Sequence, residues 1–374
     1  MRLTINRQTF VRAAACAQGA MPRMATKPAL SYVHVSPESG ALVLTGCDLE
    51  TYVQTRAPLA ADQIDPSGDG ERCLLLSGRA IKMLGYDDSD VVQIQWASHG
   101  MSIKGDRLSY EEATAPAKEY PLPPAPGDAT WQASVPGGVL VGAIRRTKAA
   151  TDAAATHNRL QLNTVALLGI GGAPCLAATN GYRAAIQQLP GDTSPAKPAL
   201  IPLFSVDKVA VLLASAETVQ VQVEQDVVRF AGEATTVIAR LYEGRCAPYE
   251  RGCPPKNAHV GVEIPAGELL RHIRAIEAAN VDGKSVVVEF GAEKLALFLP
   301  ESSSVRVRNE MLVASPLDRQ RKGVFAHHLI PLLSSLDADE ILTLSPAGEY
   351  GGLHLSTDNG WRAGTAGVTK EAIK

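Results

Sequence analysis

The sequence predicts an α+β protein in which one unit, a helix joined to antiparallel strands, recurs six times along 374 residues. Three observations carry this reading. A strand, a break and an amphipathic helix follow one another from Leu3, from Ala133 and from Val262, about 130 residues apart, and repetition at a fixed spacing marks an architecture assembled from copies. A related pattern, a short helix ending in a polar turn that feeds an alternating strand, lies between those starts, from Cys73, Ala199 and Lys322. The chain is 45% hydrophobic but only 5% aromatic, so its cores are built of Val, Leu, Ile and Ala, which suits many small β-rich units better than one large pocketed core.

Taken in order, LTINRQTFVRAAACAQGAM from Leu3 alternates as a strand and then turns helical over 7–20. CLLLSGRAIKMLGYDDSDVVQIQW from Cys73 carries a helix over 77–86, stopped by Asp87-Asp88-Ser89 before the next strand. ASVPGGVLVGAIRRTKAAT from Ala133 repeats the first pattern with its helix over 137–151. ALIPLFSVDKVAVLLASAETVQVQV from Ala199 repeats the second, with a helix over 205–216 and a strict alternation from Val219 to Val223. VEIPAGELLRHIRAIEAAN from Val262 predicts a helix over 265–280, and KGVFAHHLIPLLSSLDADEILTLS from Lys322 one over 325–336. Pro331 falls inside the last pattern and, lacking an N–H, should kink or shorten that helix. Taken two by two, the units divide the chain into domains over 1–125, 126–256 and 257–374, with boundaries in PLPPAPGD (Pro121 to Asp128) and CPPKN (Cys253 to Asn257). One helix on one sheet cannot bury both faces alone, so neighbouring units must pack with helices segregated to one side.

Charge is distributed unevenly. The chain carries 36 Lys and Arg against 39 Asp and Glu, a net charge of −3, yet the six helical segments hold ten basic residues and three acidic ones. If these helices share a surface, it meets phosphates while the acidic sheets face away. Arg79 and Lys82 on the second helix and Arg145, Arg146 and Lys148 on the third are the candidate contacts, the last three having no acid near them in sequence until Asp152. No aromatic residues interleave with them, which argues against base stacking or sequence-specific readout.

Other function classes find little support. The cysteines at 16, 47, 73, 175, 246 and 253 form no CxxC pair and read as reduced structural thiols. The N-terminus has no apolar h-region and no window is long and apolar enough to span a bilayer, which predicts a cytoplasmic protein without membrane contact. Gly169-Ile170-Gly171-Gly172 lies between two alternating runs with no helix behind it, so a hairpin turn is expected rather than a phosphate loop. Adjacent histidines such as His327-His328 point about 100° apart on a helix and have no carboxylate constellation beside them, so neither a metal site nor acid–base catalysis is indicated. No cofactor and no enzymatic activity are expected.

Four motifs then carry a resemblance: LTGCDLE from Leu44, RLQLNTV from Arg159, ATNGYRAA from Ala178 and RLYEGRCAPYER from Arg240. In order and spacing they are similar to the signatures of the bacterial sliding clamps, the beta subunits of DNA polymerase III, along essentially the whole chain. The resemblance implies three tandem clamp domains, each with two helices on antiparallel sheets, closing head to tail as a homodimeric ring around double-stranded DNA. It further implies that DNA polymerase and clamp loader subunits dock through short linear peptides in a pocket at Leu162, Thr179, Gly181, Tyr182, Arg183 and Arg251. Arg23 and Lys27 sit in the loop after the first helix, where the family places a basic DNA contact. Departures are Ala247 and Gly252 in place of larger family residues, Ala279-Asn280 at an interface position that is usually apolar, and WRAGTAGVTKEAIK where the family ends in Met-Pro-Met-Arg. These departures make a specialised or accessory clamp the alternative reading.

Overall fold

The computed structural model describes all residues except 23, 66–71, 98–99, 152–159, 256–259, 349–350 and 370–374. Six α-helices are present among them: α1 (Arg7–Gln18), α2 (Gly78–Tyr86), α3 (Gly137–Lys148), α4 (Leu203–Leu212), α5 (Ala266–Ala278) and α6 (Ala326–Ser334). All six predicted segments are helical, each preceded by a strand, which is the repeat read from the sequence. Local signals start two of them: Asn6 Oδ1 accepts the Thr9 N–H at 3.0 Å and Ser77 Oγ accepts the Ala80 N–H at 3.1 Å, each satisfying a donor that the first turn leaves open. Helix α6 runs through Pro331 and spans nine residues, shorter than its apolar pattern.

The chain forms two compact units, each discontinuous in sequence. The first comprises Met1–Gly138 and Phe204–Leu241. It holds a five-stranded antiparallel sheet in the order Ile64–Asp65, Arg2–Asn6, Val91–Ala97, Gly100–Lys104, Ser109–Ala113. Its second sheet has eight strands in the order Trp131–Pro136, Thr218–Val223, Val227–Ala231, Thr235–Arg240, Thr51–Pro58, Ala41–Cys47, Tyr32–Glu38, Leu74–Ser77. The middle of that sheet is a long-range pairing in which Thr235 lies opposite Thr55 and Ala239 opposite Thr51. Beside it the Thr51 and Ser205 hydroxyls are 2.6 Å apart and fully buried, each satisfying the other and tying α4 to the sheet. The alanine-rich face of α1 (Ala13, Ala14, Ala17, with Phe10) packs on Val33, Val35, Leu42 and Leu44, small side chains letting the helix lie close to the strands.

The second unit comprises Val139–Leu203 and Tyr242–Lys374. Its eight-stranded sheet runs Ala199–Pro202, Thr164–Ile170, Ala173–Thr179, Arg183–Gln188, Trp361–Ala366, Gly351–Ser356, Ile341–Pro346, Val262–Pro265. Gly171 and Gly172, at φ 60° and 86°, make the two-residue turn of the hairpin expected there. A four-stranded sheet follows in the order Arg308–Leu312, Lys294–Phe298, Val286–Phe290, Gln320–Val324. No helix among the described residues is long and apolar enough to cross a membrane.

Candidate functional site

The turn between Ala173–Thr179 and Arg183–Gln188 organises the candidate peptide residues. Gly181 has φ 90°, a conformation L side chains rarely adopt. The Thr179 hydroxyl donates to the Arg183 carbonyl at 2.6 Å and accepts the Gly181 N–H at 3.0 Å. Asn180 Oδ1 accepts the N–H groups of Tyr182 and Arg183, both at 3.0 Å. These hydrogen bonds brace the turn, which presents Tyr182 61% exposed. That ring stacks on His328 of α6 at 5.1 Å between centroids and 7° between planes, with Phe325 edge-on to the same imidazole.

Together these side chains line a groove of about 760 Å³ with Asn180, Arg183, His327, Pro331, Ala366 and Gly367. Sequence reasoning placed Tyr182 and Arg183 here. It missed Phe325, His327 and His328, although an aromatic run at the start of an apolar helix was the available signal. Both terminal nitrogens of Arg183 are engaged with backbone. Its Nη2 donates to the Thr151 carbonyl just past α3 at 2.7 Å, and its Nη1 to the His327 carbonyl within α6 at 3.0 Å.

Arg251 lines a second, smaller groove of about 220 Å³ with Leu168, Ile170 and residues 247–250. Strand alternation explains the division. Ala184 and Ile186 pack with Tyr249 and Cys253 on one face of their strand, whereas Arg183 and Gln187 point to the face of α3, where Gln187 Oε1 accepts Arg146 Nη1 at 3.2 Å. Leu162 is half-buried in the short turn Leu160–Asn163 and lines neither groove. At the departure Gly252 a Cβ would fall 3.1 Å from the Ala184 Cβ, so a larger residue there needs its neighbour to give, while a Cβ at Gly364 would fall 1.8 Å from the Gly252 carbonyl oxygen, so residue 364 must be glycine.

Of the candidate phosphate contacts, Lys27, Arg79 and Lys82 are exposed in the first unit, Arg79 lying 3.5 Å from Glu112; Arg23 lies outside the described residues. In the second unit, acids distant in sequence meet the α3 cluster. Arg145 pairs with Asp337 at 3.0 Å, both side chains about half exposed, and Arg146 pairs with Glu340 at 2.7 Å with only 12% and 14% of the side chains exposed. Lys148 is half-buried. Arg7, counted with the helical charge, donates to the Ser89 and Leu84 carbonyls at 2.6 and 3.1 Å and so serves the fold.

Residues 134–247 match the family model described as the central domain of the DNA polymerase III beta subunit. The beta sliding clamp of Streptomyces coelicolor is 24% identical over 314 residues, covering 81% of this chain and 80% of the relative. That of Escherichia coli K12 is 22% identical over 297 residues, covering 75% and 79%. Among solved structures, the DNA polymerase sliding clamp of Pseudomonas aeruginosa superposes with a TM-score of 0.85 at 20% identity, covering 99% of both chains. The clamp of Caulobacter crescentus does so at 0.84 and 20%, covering 99% of this chain and all of that one. In sequence, over its central region, and in fold, over nearly its whole length, the chain is similar to the bacterial beta sliding clamps.

Proposed function

We propose that the chain is a DNA sliding clamp, a non-catalytic processivity factor. Two copies close head to tail around duplex DNA and tether the replicative polymerase, clamp loader subunits and other DNA-processing enzymes to it. The observation that carries this reading is a clamp fold covering 99% of the chain in a protein whose helical segments hold ten basic residues against three acidic ones although its net charge is −3. Sequence-independent attraction to phosphates then holds the duplex without reading it. The three domains are 1–125, 126–256 and 257–374, and the family match at 134–247 falls within the second. Lys27, Arg79, Lys82, Arg145 and Lys148, with Arg23, face DNA, and Arg146 supports them from its pair with Glu340. Partner peptides enter at Tyr182 and Arg183, with Thr179 and Gly181 shaping the turn and Arg251 serving from the second groove. The protein acts in the cytoplasm, where bacterial DNA lies.

Encirclement is a topological claim and has a topological test. After loading onto a nicked circular plasmid, the protein should co-elute with the DNA in high salt and be released when the plasmid is linearised. Equal retention on linear and circular DNA would overturn the reading.

A further inference from the structure

Four grooves bounded by described residues differ in charge. Those at Trp96, at Arg12 and at Arg251 each include a carboxylate: Glu111 and Glu112 in the first, Glu233 in the second, Glu250 in the third. The groove at Tyr182 is the largest of the four and includes no carboxylate among its described residues. It instead brings exposed rings together with hydrogen-bond donors.

The fold fixes those donors. Asn180 Oδ1 is taken by the N–H groups of Tyr182 and Arg183, which sets the orientation of the side-chain amide and leaves the Nδ2 hydrogens without an acceptor among the described residues. His327 is exposed, with the ring of the buried His328 4.1 Å away between centroids. The titratable and charged groups that face this histidine pair are Tyr182 and Arg183 from the turn, while Ala366 and Gly367 bring none. Helix α5 brings Arg274 only to Ser334, the last residue of α6. Arg183 adds a permanent cation whose Nη1 and Nη2 donate to backbone carbonyls. A ligand that complements these groups brings acceptors and negative charge. The Tyr182 and Phe325 rings, beside the small Ala366 and Gly367, take a flat or branched apolar side chain next to them.

We propose that this groove selects partner peptides that carry a carboxylate next to an aromatic or aliphatic side chain, the carboxylate being received by Asn180 Nδ2 and the His327 imidazole. The inference rests on the peptide-docking reading above and names the chemistry of the segment that docks. Imidazole is the side chain whose charge changes between about pH 5 and 8, whereas an aspartate stays ionised above about pH 4. Docking of an acidic peptide is therefore coupled to proton uptake at the histidine pair. Its affinity rises as pH falls through that window, and a neutral peptide of the same shape shows no such rise.

Fluorescence anisotropy of the full chain with short peptides tests the selection. The peptides share one Phe and one Leu and carry Asp, Asn or Lys beside them, each with a free or an amidated C-terminus, so that a side-chain carboxylate and a terminal one are read separately. At about pH 6 a carboxylate-bearing peptide should bind at least about fivefold tighter than the amidated Asn peptide, with the amidated Lys peptide weakest. The gap should narrow at about pH 8. His327→Gln should remove the pH dependence and keep the requirement for Phe. Asn180→Asp keeps an acceptor for the Tyr182 and Arg183 N–H groups but loses both donors and adds a negative charge, so it should reverse the order in favour of Lys. Equal affinities for the carboxylate-bearing and the amidated Asn peptides at both pH values, in a chain that Tyr182→Ala still weakens, would overturn the selection and leave the docking reading standing. Absence of binding by any of these peptides up to millimolar concentration would overturn both.

Discussion

Arg183 donates Nη1 to the backbone carbonyl of His327 at 3.0 Å, and that carbonyl is the one Pro331 leaves without a helical donor. Residue 331 would normally bond four residues back, and proline has no N–H to do so. The residue that reads from sequence as a fault in α6 thus creates an acceptor inside the helix, and a guanidinium from another strand takes it. The same side chain reaches Thr151 beyond α3, so the groove at Tyr182 is held from two sides.

This linkage predicts non-additivity. Arg183→Ala leaves one part-buried carbonyl, Thr151, and one exposed carbonyl, His327, without a charged donor and should cost about 1–3 kcal/mol in urea unfolding. In a Pro331→Ala background a backbone N–H can serve the His327 carbonyl, so the same substitution should cost less, with a coupling of about 1 kcal/mol. Strict additivity would show that the two residues act separately.

The two arginines of α3 should behave differently on DNA. Arg145 is half exposed and can exchange Asp337 for a phosphate, so Arg145→Ala should flatten the slope of log K against log salt by up to about 0.9. Arg146, largely buried against Glu340, should leave that slope nearly unchanged when replaced and should instead cost about 1–3 kcal/mol of stability. Asp337→Asn should tighten binding at low salt. Equal slope changes for the two arginines would refute this division.

Tyr182 and His328 make the exposed aromatic shelf of the groove. Substituting either by Ala should weaken a fluorescent polymerase-derived peptide about tenfold or more, whereas Leu168→Ala in the second groove tests whether that groove contributes. Unaltered affinity in Tyr182→Ala and His328→Ala would move the peptide site elsewhere.

Burial of His34 holds its imidazole down at about 4, below the ordinary 6.5. The folded chain therefore resists a proton that the unfolded chain accepts. Stability is retained above 6.5 and lost as pH falls from 6.5 towards 4, by up to about 3 kcal/mol, after which this contribution levels off. Glu289 acts at lower pH. Burial opposes its ionisation, but hydrogen bonds from Arg321, Arg308 and Arg319 outweigh that and hold it at about 2, so its contribution is present above the ordinary 4.5 and lost as pH falls towards 2. Thermal melts of His34→Gln should lose the first slope and keep the second; a wild-type stability flat between pH 6.5 and 4 would contradict the assignment.

Much of this protein is local and was therefore open to reading from sequence. Period-two runs such as Val219 to Val223, helical runs such as that holding Phe10, Ala14 and Ala17, and stops at Asp87 and Asp337 located six helices and the strands before them. The turn at Gly171–Gly172 was legible because its backbone conformation selects its residues. These features depend on interactions within a few residues of chain.

What the tertiary structure alone decided are meetings between distant segments. Asp337 and Glu340 neutralise Arg145 and Arg146 although more than 190 residues separate them, and nothing in the spacing of either segment records the other. Tyr182 finds His328, and Arg183 finds His327, because sheet order brings the 180–183 turn beside α6. Alternation then sends Arg183 and Ala184 to opposite faces, dividing residues that run together in sequence. Pairing, register and burial are collective choices made by the whole sheet, and a local window cannot carry them.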